Sequence, residues 1–141
     1  VSAPRRDALT VGRVPAKPVT ALIVDDADDM RLLLRRVLER ADIAVVGEAV
    51  DGVDALRAVA ELGAAPVGTV IILDNMMPGL SGLEVAEQIL QDDPTLRIVL
   101  FTAFLSDEVA ARADEIGIRA CVSKTDVLRL APLVAEIAGA P

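Results

Sequence analysis

The chain has 141 residues, enough for one domain with a substantial core. Its net charge of −8, from 14 basic and 22 acidic residues, speaks against non-specific binding to nucleic acid or to an anionic membrane. With no histidine and a single cysteine, Cys121, an internal disulfide, a zinc-type cluster and imidazole catalysis are all excluded. Apolar residues make up 53% with two Phe and no Trp or Tyr, so an aliphatic core of Val, Leu, Ile and Ala is expected.

The opening segment VSAPRRDALTVGRVPAKP holds three prolines and scattered charge, and residues 1–18 are expected to form a flexible arm. It has no apolar signal-peptide region, and no run in the chain approaches a membrane span. A reducing cytoplasm is the expected setting. The initial Val suggests a removed initiator Met or a trimmed chain.

TALIVDD predicts a short buried strand. In Asp28–Ala41, Met30, Leu33, Leu34, Val37, Leu38 and Ala41 fall at helical spacing, while Arg31, Arg35, Arg36 and Arg40 read as a solvated outer face. IAVVGEAV predicts the second strand, and Val53–Leu62 a helix with Gly63 as its C-cap. VGTVIILD predicts the third strand, followed by a helix over Gly82–Gln91 with Ser81 as N-cap. RIVLFT is the fourth. Ser106 and Gly117 bracket the next helix, with Asp107 and Glu108 suited to its positive end. ACVS is the fifth strand, and the last helix runs to about Ala138 with Pro132 in its first turn or at a kink. Five strand–helix pairs in strict alternation predict an α/β doubly wound parallel sheet.

Ligands of open parallel sheets bind beyond the carboxyl ends of the strands. The first strand delivers Asp25 and Asp26 there, the third Asp74 and the fourth Thr102, while Lys124 follows the fifth. Taken singly, each has an ordinary structural reading: a helix-entry pair, an Asx-turn residue, a strand threonine, a solvated lysine. Asp28 and Asp29 supply the cap and first-turn charge better than the earlier pair. Cys121 reads as a small buried hydrophobe, and Met76 and Met77 as loop and core filler. Taken together, three carboxylates at one place repel unless a cation sits among them. With oxygen ligands only, the natural cation is Mg²⁺. A lysine and a hydroxyl complete a cradle for phosphoryl oxygens, and a carboxylate in it is a competent nucleophile, giving an aspartyl phosphate.

ALIVDD, VIILDNMMPGLSG, VLFTA and GIRACVSK together resemble the receiver domain of bacterial two-component response regulators, over about residues 19–139. The resemblance implies a flavodoxin-like strand order 2-1-3-4-5 with helices on both faces. It further implies that Asp74 accepts a phosphoryl group from a phosphohistidine on a sensor histidine kinase or histidine phosphotransfer protein. Asp25, Asp26, Asp74 and the Met76 backbone carbonyl would hold Mg²⁺. Thr102 would reorient onto the phosphoryl group, and Lys124 would pair with the anion. Such a chain is no enzyme for an outside substrate, but promotes its own phosphoryl transfer and dephosphorylation. It signals to a downstream protein through the surface of the last two strand–helix units. Two departures stand out. The family's aromatic switch position, three residues before the lysine, holds Cys121, and Thr125 stands where proline often follows the lysine. Phe104 is an apolar residue near the site, able to shield it or to contact a partner. Ending at Pro141, the chain is expected to be a single-domain regulator or an excised receiver. Rival readings are a pseudo-receiver that binds protein without phosphorylation, and an Asp-nucleophile phosphatase. The latter family carries its nucleophile on the first strand in a D-x-D motif, whereas here the acidic pair comes first and Asp74 is followed by Asn75 and Met76, with no second aspartate placed as general acid. A nucleotide-binding domain would need a P-loop or G-x-G-x-x-G, and neither is present.

Overall fold

The computed structural model describes residues 18–64 and 68–140, so the expected arm lies outside the described residues but for Pro18. The strands are β1 (Val19–Val24), β2 (Ile43–Ala49), β3 (Val70–Leu73), β4 (Arg97–Thr102) and β5 (Ala120–Ser123). Between and after them run α1 (Asp28–Arg40), α2 (Gly52–Glu61), α3 (Gly82–Asp92), α4 (Asp107–Ile116) and α5 (Leu130–Gly139). All strand pairs are parallel, in the order β2-β1-β3-β4-β5.

Period-2 alternation divides the apolar strand residues between two faces. Leu22, Val24, Ile71, Leu73, Ile98 and Leu100 pack with Ala55, Val85, Ala86 and Ile89 of α2 and α3. The intervening Ala21, Ile23, Val70, Ile72, Val99 and Phe101 pack with Leu34 and Leu38 of α1 and with Leu130, Val134 and Ile137 of α5. Both faces of β3 are thereby buried along its whole length, as its unbroken apolar run requires.

Several local expectations need correction. The edge strand β2 is not a regular strand throughout: its register with β1 slips between Ala21 and Leu22, which pair with Val45 and Gly47 and leave Val46 bulged and exposed. In α1 only Leu34 and Leu38 are fully buried, and Leu33 and Ala41 face solvent, because the sheet edge covers a narrower stripe than the apolar pattern spans. Its N-cap is Ala27, without a side-chain cap; Asp28 and Asp29 supply first-turn charge only. Gly63 is no C-cap, since α2 ends at Leu62 in right-handed geometry and runs into a 3-10 turn. A 3-10 segment over Lys124–Arg129 precedes α5, which puts Pro132 in that helix's first turn.

The helix after β3 starts as expected and strongly. Ser81 Oγ accepts the Glu84 N–H at 3.2 Å while the Ser81 N–H donates to Glu84 Oε1 at 2.9 Å, a complete capping box. Ser81→Ala is expected to lower stability by about 1 kcal/mol in urea unfolding. Ser106 likewise caps α4 through the Val109 N–H, and Gly117, at φ 106°, ends it in the left-handed region.

Candidate functional site at the carboxyl edge of the sheet

Asp25 directly follows β1 and is 1% exposed. All its polar groups are engaged. Its N–H donates to the Ala49 carbonyl at 3.1 Å, and its own carbonyl accepts from Arg31 Nη1 at 2.8 Å. Oδ1 accepts the Ala27 N–H at 2.9 Å, and Oδ2 accepts from Lys124 Nζ at 2.8 Å. Asp74, directly after β3 and 3% exposed, repeats the division: Oδ1 accepts the Met76 N–H at 3.1 Å and Oδ2 accepts from Lys124 Nζ at 3.1 Å. Its N–H donates to the Val24 carbonyl at 3.0 Å, which locks the two strand ends together. One lysine thus bridges two buried carboxylates, each of which spends its other oxygen on a backbone N–H two residues on.

The turn reading of these aspartates holds for Oδ1, which leaves Oδ2 of each turned to Lys124. Asp25, from which Asp28 and Asp29 were expected to take over the helix-entry role, does have a structural task in its bond to Ala27.

Asp26 is exposed, and carboxylate oxygens of Asp25, Asp26 and Asp74 lie within 4.8 Å of one another. Thr102 ends β4 fully buried, and among the described residues its Oγ1 has no hydrogen-bond partner. A buried hydroxyl left so is unusual and costs about 1–3 kcal/mol. Burial pushes the Asp74 carboxyl above its ordinary range; the Met76 N–H and Lys124 oppose this, and the Asp25 charge adds to it. Burial also works against the Lys124 ammonium, but its bonds to Asp25 and Asp74 outweigh that and hold it above its usual value. The cluster offers only oxygen ligands with excess negative charge, which suits a hard cation such as Mg²⁺ and not a thiolate- or imidazole-seeking metal.

The Met76 backbone is drawn to Asp74 by its N–H, while its side chain is exposed, as are Phe104 and Leu105 on the loop after β4. Cys121 is half-buried against the α3–α4 side of the core; burial, then the Asp114 charge, push its thiol up, so it stays protonated. A cavity of about 550 Å³ lies elsewhere, between α2 and α3 near Thr69 and Arg97, and none of Asp25, Asp26 and Asp74 lines it.

Three residues of the site were not foreseen. Arg31 was expected on a solvated face, yet its guanidinium reaches back to Asp25 and to Glu48. Asn75 closes the loop after β3: its Oδ1 accepts the Leu83 N–H and its carbonyl the Gly82 N–H, both at 3.0 Å. Gly82 packs directly on the Asp74 backbone. An Asn beside the strand-end Asp, with Gly at the start of the next helix, was the available signal for the last two.

Among the described residues no helix is long and apolar enough to cross a membrane. The chain is 32% identical over 109 residues to the response regulator protein VraR of Staphylococcus saprophyticus, covering 77% of this chain and 50% of that protein. It is 40% identical over 91 residues, 64% of its length, to protein-glutamate methylesterase/protein-glutamine glutaminase 3 of Hahella chejuensis, of which it spans 25%. It thus spans half or less of these curated relatives. Among solved structures, it superposes on a LuxR-family two-component response regulator from Aurantimonas with a TM-score of 0.78 at 32% identity, covering 87% of each chain. The response regulator domain of Thermotoga maritima CheB gives 0.76 at 25%, covering 89% of this chain and 99% of that one. Residues 21–134 match the response regulator receiver domain, and the chain belongs to that family.

Proposed function

We propose that residues 19–139 are a phosphorylation-dependent signalling switch. In this reading Asp74 accepts a phosphoryl group from the phosphohistidine of a sensor histidine kinase or a histidine phosphotransfer protein. The observation that carries it is the Lys124 ammonium shared between two buried carboxylates that reach it from different strands. A buried ion pair is weak evidence for stability, and two buried carboxylates on one lysine leave uncompensated charge that a fold alone does not need.

Asp25, Asp26 and Asp74, with the Met76 carbonyl, would hold Mg²⁺; when bound, it supplies positive charge for the phosphoryl oxygens. The chain's own groups do the rest. An Asp74 oxygen forms the bond to phosphorus as the P–N bond of the donor breaks, its electron pair returning to the imidazole nitrogen. Lys124, already oriented on Asp74, pairs with the new anion. The Thr102 hydroxyl, without a partner beforehand, acquires an acceptor in the phosphoryl oxygens. Those charge-assisted bonds favour one arrangement of β4 and of the surface around α4, β5 and α5, where a downstream protein would read the state. With Cys121 in place of an aromatic ring, the readout rests on Thr102 and the β4–α4 loop rather than on a turning ring.

Incubation with acetyl phosphate and Mg²⁺ tests the reading. Intact mass should show one added phosphoryl group, absent when EDTA replaces Mg²⁺; no adduct would reject it. Thr102→Val gives a second, less obvious check. Removing an unpartnered buried hydroxyl at constant shape is expected to stabilise the unphosphorylated protein by about 1 kcal/mol in urea unfolding. The same variant should lose most of the NMR shift changes that follow phosphorylation.

A further inference from the structure

Beyond the ligands themselves, the structure points to a residue that places them. We infer that Arg31 is a positioning residue for the acidic pair, fixing the Asp25–Asp26 peptide and through it the carboxylate of Asp26. The inference rests on the Mg²⁺ reading above.

The Arg31 side chain is 12% exposed and binds three elements at once. Nη1 donates to the Asp25 carbonyl at 2.8 Å, Nε to Glu48 Oε1 on β2 at 3.2 Å, and Nη2 to Asp28 in the first turn of α1. Asp25 is held in addition by its N–H and by both carboxylate oxygens. Asp26 differs: it is exposed, and among the described residues no partner holds its side chain. Its direction follows from the peptide that joins it to Asp25, and the carbonyl of that peptide is the atom Arg31 grips. Free to rotate, that peptide would swing Asp26 out of the 4.8 Å cluster.

Charge balance favours the same role. A bare guanidinium beside a cation site would repel the cation, but Arg31 is flanked by Asp28 and Glu48, so it donates hydrogen bonds with its charge offset. Arg35 supplies the natural comparison. It binds the same Glu48, through Nη2 at 2.6 Å and Nε at 2.8 Å, and ties α1 to β2 without touching Asp25.

The experiment titrates Mg²⁺ calorimetrically into unphosphorylated wild type, Arg31→Gln, Arg31→Lys and Arg35→Gln, with thermal unfolding of each. Residues that orient metal ligands typically contribute tenfold or more in affinity. Arg31→Gln should bind Mg²⁺ about tenfold more weakly, Arg31→Lys should recover part of the loss, and Arg35→Gln should stay within about twofold of wild type. Wild-type affinity in Arg31→Gln overturns the inference while the Mg²⁺ reading stands. Equal losses in Arg31→Gln and Arg35→Gln, tracking their unfolding temperatures, overturn it too, since they would mark a merely structural tie. If Arg31→Gln does not fold, Arg31→Lys decides: affinity that falls no further than in Arg35→Gln overturns the assignment. No Mg²⁺ binding by wild type rejects the metal reading itself, and this inference with it.

Discussion

Asp74→Asn is expected to abolish phosphoryl acceptance while leaving the fold at least as stable as the parent at neutral pH. The first half follows from chemistry. An amide oxygen is a poor nucleophile toward phosphorus, so the variant lacks the carboxylate that the proposed reading makes the acceptor. The second half follows from burial, which holds the Asp74 carboxyl above its ordinary 3.8 despite Lys124 and the Met76 N–H. A carboxyl whose pKa is raised on folding binds protons better in the folded state, so its ionisation opposes folding. That cost is absent below pH 3.8, grows as pH rises through the raised value and is complete above it. Asparagine keeps the acceptor for Met76 and carries no charge, and Lys124 retains Asp25. Intact mass after acetyl phosphate treatment and urea unfolding at pH 7 check the two halves. An adduct on the variant would place the acceptor elsewhere, and a clear loss of stability would refute the burial argument.

Gly82→Ala is expected to damage the same site from behind. A Cβ at residue 82 would lie 2.3 Å from the Asp74 carbonyl oxygen and 2.7 Å from the Asn75 Cα. These are backbone atoms, held by the Val24 carbonyl on one side and by the Gly82 N–H on the other, so no flexible side chain can yield. Overpacking against backbone should cost about 3 kcal/mol or more in urea unfolding. Because the atoms that must move carry the Asp74 carboxylate, the rate of phosphorylation by acetyl phosphate should fall at least tenfold even where the variant is fully folded. Gly63→Ala is the control: among the described residues beyond its chain neighbours, no atom lies within 4 Å of the added carbon, and both properties should stay near wild type. A Gly82→Ala protein as active as its parent would mean that the helix start is not what fixes Asp74.

Much of this site was legible before any coordinates, for an identifiable reason. Each strand is short and apolar, and its end is marked by the first polar residue, so Asp25, Asp74 and Thr102 fall at the sheet's edge by pattern alone. Lys124 was legible through its place after β5. Periodicity reports which face a Cα lies on, but not how far a long side chain travels. Arg31 sits where the α1 pattern predicts solvent, yet its long side chain carries the guanidinium back over the helix start to residue 25 and across to Glu48, 17 positions away. The β2 bulge was hidden for a related cause. An extra residue in an edge strand changes no residue type, only the pairing with β1, and Val46 looks as strand-like outside the ladder as within it. Gly63 misled in the opposite sense, since glycine permits a left-handed cap without requiring one, and α2 ends in a 3-10 turn instead.

The bridge made by Lys124 also bears on how the chain acquires its activity. The lysine is 99 residues from one of its carboxylates and 50 from the other, and it reaches them from the far edge of the sheet across β4. Contacts of such separation form late, because the intervening loop must close before they contribute. As the chain emerges amino end first, Asp25 and Asp74 can be brought side by side by β1 and β3 while their counter-charge is still unmade. Until β5 docks, the two buried carboxylates repel, and the half-built sheet is penalised where the finished one is held together. If Asp74 takes up a phosphoryl group as proposed, completion of the fold and readiness for that transfer are a single event, and a partly folded molecule would stay silent to its donor.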